Sequence, residues 1–277
     1  MRKEQKAIGV FDSGYGGLTI LKELREVLPE YDFLYLGDNA RAPYGTRSFD
    51  VVYEFTLQAV EYLFAQGCEL VILACNTASA KALRSIQQQV LPVKYPNKRV
   101  LGVIRPTTEI IGDYSEKGHV GIVATEGTVK SESYLIEIAK YYPNLKVAQQ
   151  ACPIWVPLIE NNLHLTEGGR SLIRNDIENL LRTDPELDVI LLACTHYPIL
   201  MEEIKTYLPE GIRLISQGII VANSLKDYLS RHPEIDKKLS KESVVRYLTT
   251  ENPSVFSEQG STFLGVRVRA DQVRIEK

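Results

Sequence analysis

Short runs that are apolar at every position constrain this chain most. Residues 69–75 read ELVILAC and residues 188–194 read DVILLAC, each apolar throughout after its first residue. A strand with one face in water alternates apolar and polar residues, whereas a run that is apolar throughout is covered on both faces. AIGVF (7–11), DFLYLGD (32–38), RVLGVI (99–104), HVGIVAT (119–125) and KVAQQAC (146–152) continue the strand series. Between these runs lie helical stretches. The first runs from near Leu18 to Leu28-Pro29, where proline ends it, and the second from Phe49 to Gln66, with Gly67 placed as its cap. Others cover 76–90, 129–141, 167–181 and 198–207. Strands alternating with helices predict an α/β fold with mostly parallel sheets flanked by helices.

The pattern occurs twice. GVFDSGYG (9–16) resembles GIVATEGT (121–128), and VILACNT (71–77) resembles ILLACTH (190–196), at nearly the same offset along the chain. Two such echoes in the same order imply two similar domains. Ligands bind beyond the C-terminal ends of parallel strands, so the expected active site is a cleft between the two copies.

Composition removes several classes of function. The 277 residues carry 32 Lys+Arg and 35 Asp+Glu, a net charge of −3, so no excess of positive charge points to nucleic acid or an anionic membrane. Charged residues at 24% and hydrophobic ones at 44% are globular values, which excludes disorder as the main state. No run reaches the ~18 apolar residues of a membrane span, and the N-terminus lacks the apolar core of a secretion signal. The expected location is therefore the cytoplasm, where thiols stay reduced. The four cysteines, Cys68, Cys75, Cys152 and Cys194, form no CxxC pair, so neither a disulfide scaffold nor a zinc site is expected.

Sorted by context, these cysteines divide. Cys75 and Cys194 each follow Ala at the end of an apolar run and precede polar residues, Asn76-Thr77 and Thr195-His196. A helix beginning just beyond such a cysteine presents free N–H groups and favours thiolate. Cys68 and Cys152 lack the repeated context and read as bystanders. A covalent nucleophile needs one cysteine, and a redox dithiol needs two sulfurs close enough to bond. A mirrored pair of acid/base thiols suits proton transfer at a stereocentre, because enantiomers have equal energy and each face needs an equivalent group. Asp12, ending the first strand run, is placed to act on Cys75 or on a substrate ammonium. His196 is placed to hold the proton of Cys194. His119, His164 and His232 have no comparable setting.

DSGYGG partly matches a dinucleotide fingerprint through Gly14 and Gly16, with Asp38 at the end of the next run. The third glycine position holds Thr19, and Asp12 at the loop entrance would repel a pyrophosphate. A dehydrogenase is thus a weak reading.

GVFDSGYGGLTI, GDNARAPYG, ILACNTASA and LACTHYP, supported by WVPLIE (155–160) and YLTTENPSVFSEQGSTFLG, together resemble the cofactor-independent aspartate/glutamate racemase superfamily, and within it the glutamate racemases. The resemblance implies interconversion of L- and D-glutamate without pyridoxal phosphate or metal, supplying D-glutamate for peptidoglycan. It implies that Cys75 and Cys194 are the two acid/base residues, assisted by Asp12, His196 and Glu160. It also implies substrate contacts at Asp12, Ser13, Tyr44, Gly45, Asn76, Thr77, Thr128, Thr195 and His196. By the same analogy the first domain takes 1–101 and 214–277, and the second takes 102–213. The expected partner is the small-molecule substrate, with no nucleic acid and no membrane, and a homodimer is compatible with this.

Three other readings stand beside it: a racemase for aspartate or another small amino acid, a thiol-redox protein, and an amino-acid-binding module. The chain also departs from the resembled pattern at two places. GVIRPTTE (102–109) has Arg105 where many relatives carry an acid, and LISQGI (214–219) has Ser216-Gln217 where an Asp is common. Both departures are expected to touch interdomain contacts rather than the chemistry.

Overall fold

The computed structural model describes residues 6–275. Those residues form ten strands: β1 (Ile8–Asp12), β2 (Phe33–Gly37), β3 (Leu70–Leu73), β4 (Arg99–Gly102), β5 (His119–Ala124), β6 (Lys146–Ala151), β7 (Val189–Ala193), β8 (Arg213–Ser216), β9 (Val245–Thr249) and β10 (Ala270–Gln272). One sheet has the order β10-β9-β2-β1-β3-β4 and the other β6-β5-β7-β8. The paired strands in both sheets run parallel. The order β2-β1-β3-β4 in the first sheet repeats as β6-β5-β7-β8 in the second, which is the duplication read from the sequence.

The helices that position the site are α1 (Leu18–Val27), α2 (Phe49–Ala65), α3 (Asn76–Lys81), α4 (Ile104–Thr108), α5 (Glu126–Lys130), α6 (Ser133–Tyr141), α7 (Trp155–Glu160), α8 (Glu167–Thr183), α9 (Gly218–Arg231) and α10 (Pro253–Leu264). Successive strand residues point to opposite faces, so each apolar run feeds two cores. In the first sheet Ile8, Val10 and Ile72 pack against α1, α9 and α10, while Phe11, Val71 and Leu73 pack against α2. In the second, Ile190 and Leu192 meet Trp155, Ile173 and Ile177, while Val189 and Leu191 meet Tyr134 and Ile138. Among the described residues no helix is long and apolar enough to cross a membrane.

Several elements differ from their sequence-based outlines. The stretch expected to be helical over 129–141 is two helices, α5 and α6, broken before Ser133 by Glu132 at a positive φ of 54°. Residues 198–207 begin as a 3-10 turn over Tyr197–Leu200, followed by a short helix over Met201–Lys205. Residues 214–216 still pair with β7, so the return crossing toward the first sheet follows Ser216 rather than preceding Leu214. There α9 lies against α1 so closely that a Cβ at Gly218 would stand 2.6 Å from Cγ of Glu23. β9 and β10 extend the first sheet beyond the strands read from apolar runs, because Val245–Thr249 mixes Arg and Tyr into a half-buried strand.

Leu191 is fully buried in β7. Leu191→Ala is expected to destabilise the protein by about 2–5 kcal/mol. In urea denaturation the midpoint should fall with the slope unchanged, and an unmoved midpoint would contradict the packing described.

Candidate active site

In each sheet the chain lays its second strand on one side of the first and its third strand on the other. The order therefore reverses between β1 and β3, and again between β5 and β7. Loops leaving such a pair of strands diverge and open a crevice at their C-terminal ends. Cys75 follows β3 by two residues and caps α3, and Cys194 directly follows β7. Asp12 is the last residue of β1. Both thiols are 6% exposed, at the facing ends of the two sheets.

Hydrogen bonds tie these ends together. Thr195 donates its hydroxyl to Oδ2 of Asp12 at 3.3 Å, and Thr19 donates to the Thr195 carbonyl at 2.9 Å. The hydroxyls of Thr77 and Thr125 share a bond at 2.9 Å, and that of Thr125 reaches Thr128 at 3.0 Å. The Gly127 N–H donates to the Gly45 carbonyl at 2.8 Å. Ser13 Oγ lies 3.6 Å from the Cys75 sulfur. Gly16 makes the close approach possible, since a Cβ there would lie 2.3 Å from both Nδ1 of His196 and Oγ1 of Thr195.

Burial and charge then compete at each titratable group. Asp12 is 1% exposed, and burial raises its carboxyl above the ordinary value. The positive His196 and donors from Gly14, Gly17 and Thr195 offset part of that effect. Burial, and next the negative Asp12, push the Cys75 thiol up to about 12, although the Ala78 N–H and Ser13 favour its anion. The helix start at α3 therefore does not make Cys75 a resting thiolate, contrary to the expectation from its position: desolvation outweighs the few free N–H groups. Burial alone would lower the His196 imidazolium, but its contacts with Cys194 and Glu160 outweigh that and hold it at about 10. Its Nε2 lies 3.0 Å from Oε1 of Glu160, which extends from the last residue of α7. His196 is thus a buried positive charge beside Cys194.

The remaining expected residues take different postures. The Tyr44 hydroxyl donates to the buried Asp38, which also pairs with Arg41 Nε at 2.6 Å and accepts from Thr250 at 2.9 Å. Asp38 therefore anchors the loop carrying Tyr44 and Gly45. The Asn76 side chain turns away from the thiol toward Gln217 and Tyr134, at 2.8 and 2.6 Å. Thr125 was missed in the sequence reading, although the echo aligns it with Ser13. Gln217, expected to touch interdomain contacts, does so at Val103 and Thr107, and its amide also reaches the residue next to Cys75. Arg105 pairs with Glu109 at 2.8 Å on the surface. Cys68 and Cys152 lie in apolar cores, and His119 pairs with Asp184 at 2.8 Å.

The model of the Asp/Glu/Hydantoin racemase family matches residues 18–225. A glutamate racemase of Roseobacter denitrificans is 42% identical over 273 residues, covering 95% of this chain and 98% of that protein. The crystal structure of a glutamate racemase isoform from Bacillus anthracis superposes with a TM-score of 0.88 at 32% identity, over 98% of both chains. A Francisella tularensis glutamate racemase solved with D-glutamate gives 0.86 at 31% identity, over 99% of both. With two thiols held at the facing ends of duplicated parallel sheets, and with this match over most of its length, the chain belongs to the Asp/Glu/Hydantoin racemase family.

Proposed function

We propose that this protein is a glutamate racemase that moves the α-proton of glutamate between two thiols, Cys75 and Cys194, without a cofactor. The observation carrying the proposal is that two Ala-Cys strand ends, from equivalent strands of two sheets, are both buried and that the residues beside them are hydrogen-bonded from one sheet to the other. The reading takes the sheets as two domains, residues 1–101 with 214–277 and residues 102–213, with the return boundary moved to follow Ser216 because β8 pairs with β7. D-glutamate made this way in the cytoplasm would supply peptidoglycan synthesis.

The substrate's α-carboxylate and ammonium meet the hydroxyls of Ser13, Thr77 and Thr195, the carboxylate of Asp12 and backbone N–H groups at Asn76 and Gly45. One sulfur, as thiolate, takes the α-proton, and the C–H electron pair passes into the α-carbon and its carboxylate. The opposite thiol then gives its proton to the other face and becomes the thiolate. The enzyme ends in the mirror-image protonation state, ready for the reverse reaction. Because the α-C–H is a very weak acid, fixed dipoles in a site cleared of bulk water must stabilise the carbanion. Asp12 serves the Cys75 side. On the other side His196, held by Glu160 at 3.0 Å, stands beside Cys194.

Incubation with L-glutamate in D2O, without added cofactor, should erase optical rotation and place deuterium at Cα. Cys75→Ala and Cys194→Ala should each lower racemisation by about 10²–10⁴-fold or more. A folded wild-type protein with no exchange would overturn the racemase reading. Full activity in either variant would overturn the two-thiol mechanism.

The contacts of His196 with Cys194 and Glu160 also make stability depend on pH. His196 titrates at about 10 in the folded state, against 6.5 as its ordinary value. Its contribution is complete below pH 6.5 and is lost as pH rises through about 10. Urea midpoints measured from pH 6 to 10 should therefore fall, and His196→Asn should flatten that fall. Parallel curves for the two proteins would contradict the assignment.

A further inference from the structure

Gln217 stands where the chain returns from the second sheet, one residue beyond β8, and it is 2% exposed. Its Oε1 accepts from Nδ2 of Asn76 at 2.8 Å. Its Nε2 lies within hydrogen-bond distance of the Val103 carbonyl at 3.0 Å, Thr107 Oγ1 at 3.0 Å and the Tyr134 oxygen at 2.8 Å. Tyr134 in turn donates to Oδ1 of Asn76 at 2.6 Å. Asn76, Gln217 and Tyr134 therefore close a ring, and Val103 and Thr107 tie that ring to the outgoing crossing between the sheets. A primary amide suits the junction because it accepts at one end and donates two protons at the other. In so dry a place each lost partner leaves a buried polar group unpaired.

The ring has no counterpart at the second thiol. The equivalent of Asn76 in the echo is Thr195, whose hydroxyl goes to Asp12 instead. Cys75 is the N-cap residue of α3 and Asn76 the first residue of that helix, so bonds that fix Asn76 also fix the backbone from which the Cys75 sulfur extends. Resting on the racemase reading, we infer that Gln217 is a positioning residue. It joins both interdomain crossings to Asn76 and holds the Cys75 sulfur, but not that of Cys194, in line with the substrate's α-carbon.

The distinguishing readout is the primary isotope effect in each direction, measured with α-deuterated L- and D-glutamate. In one direction Cys75 removes the labelled hydrogen, and in the other Cys194 does. Misplacing Cys75 alone slows its step in both directions. The isotope effect then rises where Cys75 deprotonates and falls where Cys194 deprotonates. Gln217→Glu keeps the length and the acceptor but turns a carboxylate oxygen toward the Val103 carbonyl. Tyr134→Phe removes the ring's third member with almost no change in shape. Gln217→Glu should lower kcat about 10–100-fold, since a misplacement of about 1 Å costs on that order, with KM changed less than threefold. Its two isotope effects should shift in opposite senses. Tyr134→Phe should show the same opposed shifts, weaker, and it decides the question should Gln217→Glu not fold. Equal losses of rate with both isotope effects unchanged, or wild-type rates in the folded variants, would overturn the assignment. Absence of α-proton exchange by the wild-type enzyme would instead overturn the racemase reading itself.

Discussion

A parallel strand can be reached only by a crossover that returns the chain to the strand's starting edge. All strands of such a sheet therefore end on the same side. That constraint organises this molecule. It gathers Asp12, Cys75, Ala124 and Cys194 at strand ends, and the reversal of order beside β1 and β5 opens a crevice there. Two copies of the unit, set with these ends facing, make one site from two sets of loops. The helices covering both faces of each sheet supply four apolar cores, and Tyr44, Cys75 and Cys194 of the site are themselves packed at the edges of those cores.

Closure gives the site its electrostatic character. With both thiols almost wholly covered, desolvation governs Asp12 and Cys75 and keeps each biased toward its neutral form. His196 is the exception, because its partners outweigh its burial and make it a fixed positive charge. The two sides of a site built by duplication are therefore not equivalent: burial and the Asp12 carboxylate favour the thiol form of Cys75, while Cys194 lies beside His196. Short contacts such as those of Thr77 with Thr125 and Gly45 with Gly127 join the two sheets at this site, and the Gln217 ring ties both crossings to the residue next to Cys75.

The local pattern of the chain was enough for the sheet class and the duplication, and it singled out two cysteines among four by their repeated context. Apolar runs, helix stops and repeated motifs act over a few residues and need no knowledge of neighbours in space. The same reasoning failed where the answer lies in packing. β9 was not read as a strand, because Arg246 and Tyr247 interrupt the apolar pattern on a half-buried part of the sheet. The break at Glu132 was invisible because nothing local marks a left-handed residue there. The lowered thiol pKa expected for Cys75 was reversed by burial, which only the closed fold imposes.

The candidate site divides along the same line. Sequence alone determined which residues could carry the chemistry, since Asp12, Cys75, Cys194 and His196 stand in motifs whose residue types and spacing suit proton transfer. The tertiary structure decided what each one faces. It bonded the Asn76 side chain to Gln217, bound Tyr44 to Asp38, and brought Thr125 into a hydroxyl chain with Thr77. It also drew a residue 141 positions away in the chain against the neighbour of Cys75. Such contacts depend on where two separate sheets meet, and no short-range pattern encodes that meeting.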